Sequence, residues 1–329
     1  MSPSSNPSTA SAVRDPRAPV SVVLINWNGA DDTLDTLASL EKVGDSRLRP
    51  LVVDNGSTDN SVERLRQAHP DLEIVETGKN LGFAGGNLAG IRHALQSPEV
   101  GWLLLLNTDV EVAEDFLEPL IQACLDPEVA ASGPKIFYHQ PAERLWAAGG
   151  ELRWRETVTQ EWGRGELDGP RFSQPRDVTY LTTCCLMVPR DAMEAVGPLD
   201  PVYFINVDDA DWCRRAMDLG YRLRYEPGSV LWHKVAASTA GSYTPLKTFH
   251  TGRSNAIFAR RHGRPWGLLR FVLANLLALP AAGVRELPKG NLRSVVSKGR
   301  GVLDGLRAPL PAVPSAQGEI ESRAAEGGA

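Results

Sequence analysis

Apolar positions along the chain fall into short dense runs separated by amphipathic stretches. Val20–Ile25 is a β-branched apolar run, followed by turn-forming residues Asn26–Gly29 and a helical pattern over Asp31–Leu40. The arrangement repeats as Leu51–Val53 with Asp59–Gln67, and again as Leu72–Glu76 with Ala84–Leu95. Trp102–Leu106 is wholly apolar, which predicts a strand buried on both faces. Strands alternating with helices of this size predict an α/β, doubly wound, mostly parallel sheet. Residues 134–180 have weaker periodicity and predict short strands and loops, with a hairpin over Trp146–Trp154. Beyond them come a buried strand at Val178–Val188, a helix at Asp208–Leu219 closed by Gly220, and short strands at Leu223–Tyr225 and Val230–Trp232. Residues 1–18 and 308–329 are rich in small residues and Pro without periodicity, and are expected to be disordered.

Composition narrows this only slightly. A chain of 329 residues, 42% hydrophobic and 23% charged, is neither collagenous, coiled-coil nor wholly disordered. Four cysteines without a C-x-x-C pair predict reduced thiols in a cytosolic setting and no structural zinc. No apolar run is expected to reach the roughly 18 residues of a membrane span, and no secretory h-region follows Met1. Charge changes the picture more. Residues 253–307 hold eleven bases against two acids, a net of +9, while residues 1–252 carry −12. A basic segment on an acidic body points to an anionic partner, nucleic acid or lipid headgroups. No nucleic-acid recognition motif accompanies the charge, which favours lipid. Within that segment Gly267–Val284 is apolar apart from Arg270, Asn275 and Pro280. It reads either as a core helix or as an interfacial segment, with 260–300 in peripheral contact with an anionic membrane.

Ligands of open α/β sheets bind beyond the carboxyl ends of the strands. Here those ends carry Asn26 and Asn28, then Asp54 and Asn55, then Asn107 and Asp109. At one end these are ordinary turn and cap residues; three ends together mark a candidate ligand edge. Asn80–Asn87, with Asn80, Gly82, Phe83, Gly85, Gly86 and Asn87, precedes a helix whose start could take a phosphate. It lacks both G-x-G-x-x-G and the P-loop Lys-Ser/Thr, so dinucleotide and P-loop readings lose. Asp208, Asp209 and Asp211 crowd the first turn of one helix. Capping accounts for one carboxylate, and like charges so close raise one another's pKa, which suits a general base. His233, paired with a strand-end Asp, could hold a hard divalent cation.

The ordered motifs VVLINWNG (22–29), VVDNGSTDNS (52–61), NLGFAGGNLAGIRHAL (80–95), LLLLNTDVEV (103–112), GPLDPVYFINVDDADWCRRAMDLGYRL (197–223) and LWHK (231–234) resemble family 2 glycosyltransferases. The likeness is to the rhamnosyltransferase and galactofuranosyltransferase-like branch of the GT-A fold, and runs from about Val20 to His262. It implies a GT-A domain over 19–262, split into a nucleotide-sugar half (19–112) and an acceptor half (113–262), then a basic amphipathic helical extension (263–307). It further implies that Asp54 reads the nucleoside, and that Asp109 and His233 bind Mg2+ or Mn2+. Asp209 is implied as base of an inverting transfer, with Asp211 and Trp212 shaping the acceptor site. Asn107 stands at the first D-x-D position, and Asp208 replaces a usual Glu, so either Asp208 or Asp209 could be the base. Thr183 replaces a frequent Gly, and Arg253-Ser254-Asn255 a more usual Arg-Asn. The expected donor is dTDP-rhamnose, with UDP-galactofuranose or another UDP-sugar as the alternative. The expected acceptor is a glycan or polyprenyl-linked glycan in cell-envelope polysaccharide assembly, reached from the cytoplasm or the inner membrane face. A non-catalytic nucleotide-sugar-binding protein is the competing reading. A phosphohydrolase lacks a recognisable nucleophile or two-metal ligand set.

Overall fold

A computed structural model of the chain describes residues 14–153, 158–235 and 244–316. In order these form β1 (Val20–Asn26), α1 (Ala30–Val43), β2 (Leu48–Asp54), α2 (Ser61–Ala68), β3 (Glu73–Glu76), α3 (Gly82–Ala94), β4 (Trp102–Leu106), β5 (Val110–Val112), α4 (Leu117–Ala123) and β6 (Val129–Tyr138). There follow β7 (Leu145–Ala147), β8 (Gly150–Leu152), β9 (Thr159–Glu161), β10 (Arg176–Val178), β11 (Cys185–Pro189), α5 (Arg190–Val196), α6 (Asp208–Asp218), β12 (Arg222–His233), α7 (Pro245–His262), α8 (Arg264–Glu286) and α9 (Leu292–Arg307).

The main sheet runs β10-β12-β6-β11-β4-β1-β2-β3. Strands β4, β1, β2 and β3 are parallel, and β11 is antiparallel to β4 and β6. Alternation along the central strands builds the layers. Val22, Leu24, Leu104, Leu106 and Met187 enter one core cluster with Leu37 and Leu40 of α1 and Leu120 of α4. Val23, Leu103, Leu105, Leu186 and Val188 enter the other, with Ala89 and Ile91 of α3 and Trp212 of α6. The all-apolar β4 is thus explained by helices on both faces. Gly90 of α3 has a packing duty, since a Cβ there would lie 2.5 Å from Val23 Cγ1.

Several expectations change. Val178–Val188 is not one strand: Thr179–Cys184 leaves the sheet between β10 and β11, because its polar atoms are spent on the loops described below. The expected hairpin is absent among the described residues, since β7 pairs with β6 and β8 with β9; Trp154 lies outside them. The two short strands expected at 223–232 are one strand, β12, with a register shift between Glu226 and Val230. Disorder was expected at both termini, and the described parts of each are held. Arg14 pairs with Asp191 at 2.9 Å, and the Ala308 and Pro311 carbonyls accept from Arg260 and Arg261. The rest of both termini lies outside the described residues.

The largest correction concerns α8. The apolar run interrupted by Arg270, Asn275 and Pro280 is one continuous helix, long and apolar enough by length and composition to cross a membrane. It is not a core helix, because only Phe271, Asn275 and Glu286 are buried. The basic helix α9, by contrast, is clamped along α7. A Cβ on Gly301 would sit 2.0 Å from Phe249 O, one on Gly305 2.3 Å from Arg253 O, and one on Gly252 2.3 Å from Lys298 O. At Gly299 the nearest atom is Leu279 Cδ1 at 3.6 Å. Alanine favours helix over glycine by about 1 kcal/mol, so G299A is expected to hold or raise the Tm. G301A forces two backbones apart and is expected to lower stability by about 1–3 kcal/mol despite that gain. Thermal denaturation of the two variants side by side checks the contrast.

Candidate functional site

The carboxyl ends of β1 and β2 form a braced edge. Asn26 is buried, and its Nδ2 donates to Asp54 Oδ1 (2.9 Å) and Ser57 Oγ (3.1 Å) while its Oδ1 accepts from Thr33 Oγ1 (2.9 Å). Asp54 also accepts from Ser57 N (3.0 Å) and Ser57 Oγ (2.5 Å). Asn28 has φ 52° and accepts from Thr58 N through Oδ1 (2.8 Å). These side chains come together as expected, with Asn26 as a brace behind Asp54 rather than a surface group.

The Asn80–Asn87 segment does not form the open phosphate cradle that its glycines suggested. Leu81 N donates to Asn55 Oδ1 (3.0 Å), Gly82 N to Asn80 Oδ1 (2.8 Å) and Ala84 N to Phe204 O (3.3 Å), so these three N–H groups at the start of α3 are taken. Gly85 and Gly86 face protein, as Cβ atoms there would lie 2.7 Å from Leu81 Cβ and 3.0 Å from Ile25 Cγ2. Asn87 turns back on its own helix, with Nδ2 donating to Phe83 O (3.0 Å). Phe83 is half-buried. Close helix-to-sheet packing is what the small residues supply here.

Asp109 and His233 meet where β4 and β12 end. His233 Nε2 lies 3.1 Å from Asp109 Oδ1, and the imidazole edge abuts Trp146 at 4.7 Å between centroids. Burial works against charge on His233, but the Cys184 thiol and the Asp109 carboxylate outweigh it and raise its pKa to about 10. For Asp109 burial is likewise opposed, by His233 and by a hydrogen bond from Asn107, and the carboxylate is held below its ordinary range. His233 Nδ1 is buried and has no partner. A carboxylate, an imidazole with an orphaned nitrogen and a nearby amide fit a hard divalent cation that keeps positions open for substrate oxygens. No group of three His, Cys, Asp or Glu that could enclose a metal occurs among the described residues.

At the start of α6 the three carboxylates part company. Asp209 keeps an accessible edge at 8% exposure, with Oδ2 accepting from Tyr180 OH (2.7 Å) and Oδ1 from Ala210 N (2.8 Å). Burial pushes its pKa up to about 6 against the pull of those donors. Asp208 is 2% exposed, its Oδ2 has no partner, and burial together with the Asp209 charge raises it well above the carboxylate range.

Asp211 and Trp212 are not at the surface of the site. Asp211 is fully buried and accepts from Tyr203 OH (2.8 Å) and Arg215 Nε (2.8 Å), and lies 2.7 Å from His262 Nε2. Burial would raise its pKa, but these cations hold it far below the ordinary range. Trp212 fills the core and donates from Nε1 to Gly197 O (2.9 Å). A helix turns about 100° per residue, so Asp211, two positions on, points away from Asp209, while Trp212, three positions on, is taken up by the core.

Two loops join these pieces, and neither was legible as a site element. Thr179–Cys184 carries the Tyr180 hydroxyl to Asp209 and, at its other end, the Cys184 carbonyl to the strand end that precedes Asp109. There Asn107 N donates to Cys184 O (3.0 Å). One short segment therefore spans from Asp209 to the Asp109–His233 pair. The second loop, 204–207, precedes α6 with Phe204, Asn206 and Val207 at φ 60–70°, a left-handed strain for non-glycine residues. It is pinned by Ser254 Oγ donating to Tyr203 O (2.8 Å) and Ile205 O (3.0 Å). Tyr180 carries no local signal, since it lies 29 positions from its partner.

Known proteins identify the family and the fold. Residues 21–197, more than half of the chain, match the family model described as glycosyl transferase family 2. A curated N-acetylglucosaminyl-diphospho-decaprenol L-rhamnosyltransferase of Mycobacterium tuberculosis is 27% identical over 282 residues, covering 78% of this chain and 90% of its own length. Among solved structures, a mannosyltransferase of Pyrobaculum calidifontis in complex with GDP-Man and Mn2+ has a TM-score of 0.52 at 17% identity, with 89% of each chain covered. GalNAc-T7 with UDP, GalNAc and Mn2+ has a TM-score of 0.55 at 14% identity, covering 73% of this chain and 48% of its own. The GT-A fold, the strand-end carboxylates and the family match converge on one conclusion: this chain is a glycosyltransferase of family 2.

Proposed function

We propose that the chain is an inverting, metal-dependent transferase that moves rhamnose from dTDP-rhamnose to a lipid-linked glycan, with Asp209 as the general base. The observation that carries this reading is the Thr179–Cys184 loop: at one end the Tyr180 hydroxyl donates to Asp209, and at the other the Cys184 carbonyl accepts from Asn107 N, two residues before Asp109. The rhamnosyl donor and the polyprenyl-linked acceptor are taken from what the mycobacterial relative is named for. A cytoplasmic site facing the membrane belongs to the same proposal.

Asp209 accepts the proton of the acceptor hydroxyl as that oxygen forms a bond to the anomeric carbon. The bond from that carbon to the diphosphate oxygen breaks on the opposite side, and the nucleoside diphosphate leaves with the electron pair. Asp109 and His233, with Asn107 beside them, would hold Mg2+ or Mn2+, which when bound neutralises charge on the leaving diphosphate. Asp208 is enclosed with Oδ2 unpartnered, and burial and the Asp209 charge raise it well above the ordinary carboxylate range, which makes it the less suitable base. Tyr180 holds Asp209 in place and favours its ionised form. Asp54, braced by Asn26 and Ser57, faces the nucleoside.

Nucleotide release from a panel of nucleotide-sugars, with a lipid-linked acceptor included, tests these roles. D209N is expected to lose about 100-fold or more, and D208N to stay within a few-fold of wild type. Equal losses in both would remove the distinction between the two carboxylates. D109A and H233A should each weaken both turnover and Mn2+ binding, the latter read directly by calorimetry. If wild type binds donors yet turns none over with any acceptor, the transferase roles fail.

Protonation of Asp209 gives two signed expectations. Wild-type activity should fall with unit slope as pH drops through about 6, and Y180F, which removes a donor to the carboxylate, should move that limb upward by roughly one unit. A folded-state pKa above the ordinary 3.8 means that ionising Asp209 costs stability, a cost absent below about pH 4 and fully present above about pH 6. D209N should therefore have a higher Tm than wild type at pH 8, with the gap closing by pH 4.

A further inference from the structure

The C-terminal helical hairpin presents an apolar face that nothing in the described chain covers. Helix α8 is two-sided. Leu268, Phe271 and Val272 pack into a small core with Ala256 and Ala259 of α7 and Val302 of α9. On the opposite side, Trp266, Leu269, Leu273, Leu276, Leu277 and Val284 lie open to solvent, with Trp266, Leu277 and Val284 at 77%, 78% and 77% exposure. At about 100° per residue these positions fall within one stripe roughly 100° wide and about 27 Å long. Helix α9 adds a second pattern. Its exposed Leu292, Val296 and Leu303 lie beside exposed Arg293, Arg300 and Arg307, three arginines seven residues apart and so on one helix face. Exposed Arg264 and Arg270 stand at the Trp266 end of α8.

We infer that this hairpin docks in the plane of an anionic lipid bilayer, with the α8 stripe in the headgroup–acyl boundary and the arginines on the lipid phosphates. Charge argues for lipid: residues 253–307 carry +9 on a chain whose preceding part carries −12. An aromatic at one end, a leucine stripe and flanking arginines together form an interfacial helix pattern. A second copy fits less well, because a two-fold contact would set these arginines against their own equivalents. Spanning fits less well too. It would strip α8 from α7 and α9 and carry Arg270 and Asn275 into hydrocarbon, together with Glu286, now bonded to Arg285 and Asn291.

Docking also sets an orientation. Arg261 and His262, the last residues of α7 before Gly263 and α8, both reach Asp211 of α6. The membrane-facing helix is thus joined to the helix that carries Asp209. The inference goes beyond the transfer reaction and stands even if the acceptor is a soluble glycan.

Co-sedimentation of the full chain with phosphatidylcholine vesicles, with and without phosphatidylglycerol, tests it. Wild type should partition onto the anionic vesicles at least about tenfold better than onto neutral ones, and added salt should weaken that binding. L273E/L277E and R293Q/R300Q/R307Q should each lose about tenfold or more while keeping the wild-type Tm and donor hydrolysis in solution. Binding that is indifferent to phosphatidylglycerol, or equal in the variants, overturns the proposal. So does a concentration-dependent dimer that L273E/L277E dissolves without any vesicle binding, which assigns the stripe to a second copy. Insertion that survives high salt and alkaline carbonate overturns it in favour of a spanning helix.

Discussion

The buried Asp211 carboxylate holds α6, α7 and the turn before α6 in register. It carries its charge in the interior because Arg215, His262 and Arg261 surround it and the Tyr203 hydroxyl donates to it. A charge so placed is costly without partners and severe to leave unpaired, so these groups are bound to one another's positions. They come from three places: α6 itself, the turn before the strained 204–207 segment, and the end of α7. That knot fixes the first turn of α6, and with it the direction in which Asp209 faces.

Around it the protein separates chemically similar groups by solvation. Asp208, Asp209 and Asp211 lie within four residues and have three different electrostatic fates. Asp211 is held low by the groups paired with it, Asp208 is raised by burial and the Asp209 charge, and Asp209 is raised by burial against the pull of the Tyr180 hydroxyl. The same economy appears at the other end of the Thr179–Cys184 loop, where the Cys184 carbonyl accepts from Asn107 N beside the Asp109–His233 pair. Drawing that loop out of the sheet costs ladder hydrogen bonds in a strand that is otherwise apolar, and brings polar atoms to two sites at once.

The C-terminal helices serve the catalytic half in different ways. Glycines let α9 lie at backbone contact on α7, and α7 in turn pins the strained segment through Ser254. Helix α8 uses one face for that assembly and leaves the other outward. A basic hairpin on an acidic body is thereby joined to the architecture that positions Asp209.

The alternating pattern by itself determined the parallel half of the sheet, because β4 can be apolar throughout only when both faces are covered. Strand-end Asn and Asp residues also stand together at one edge, since topology places parallel strand ends together. Local periodicity could not show that Asp211 and Trp212 turn inward, because that depends on Arg261 and His262, fifty residues away. Nor could it show that Gly85 and Gly86 serve packing, or that Tyr180 meets Asp209. Arg270, Asn275 and Pro280 read as interruptions in sequence, yet the helix runs through them, with Asn275 bonding its own backbone at Phe271. Sequence determined which chemistry was available; which carboxylate is desolvated, paired or left open was decided by long-range contacts that only the tertiary structure makes.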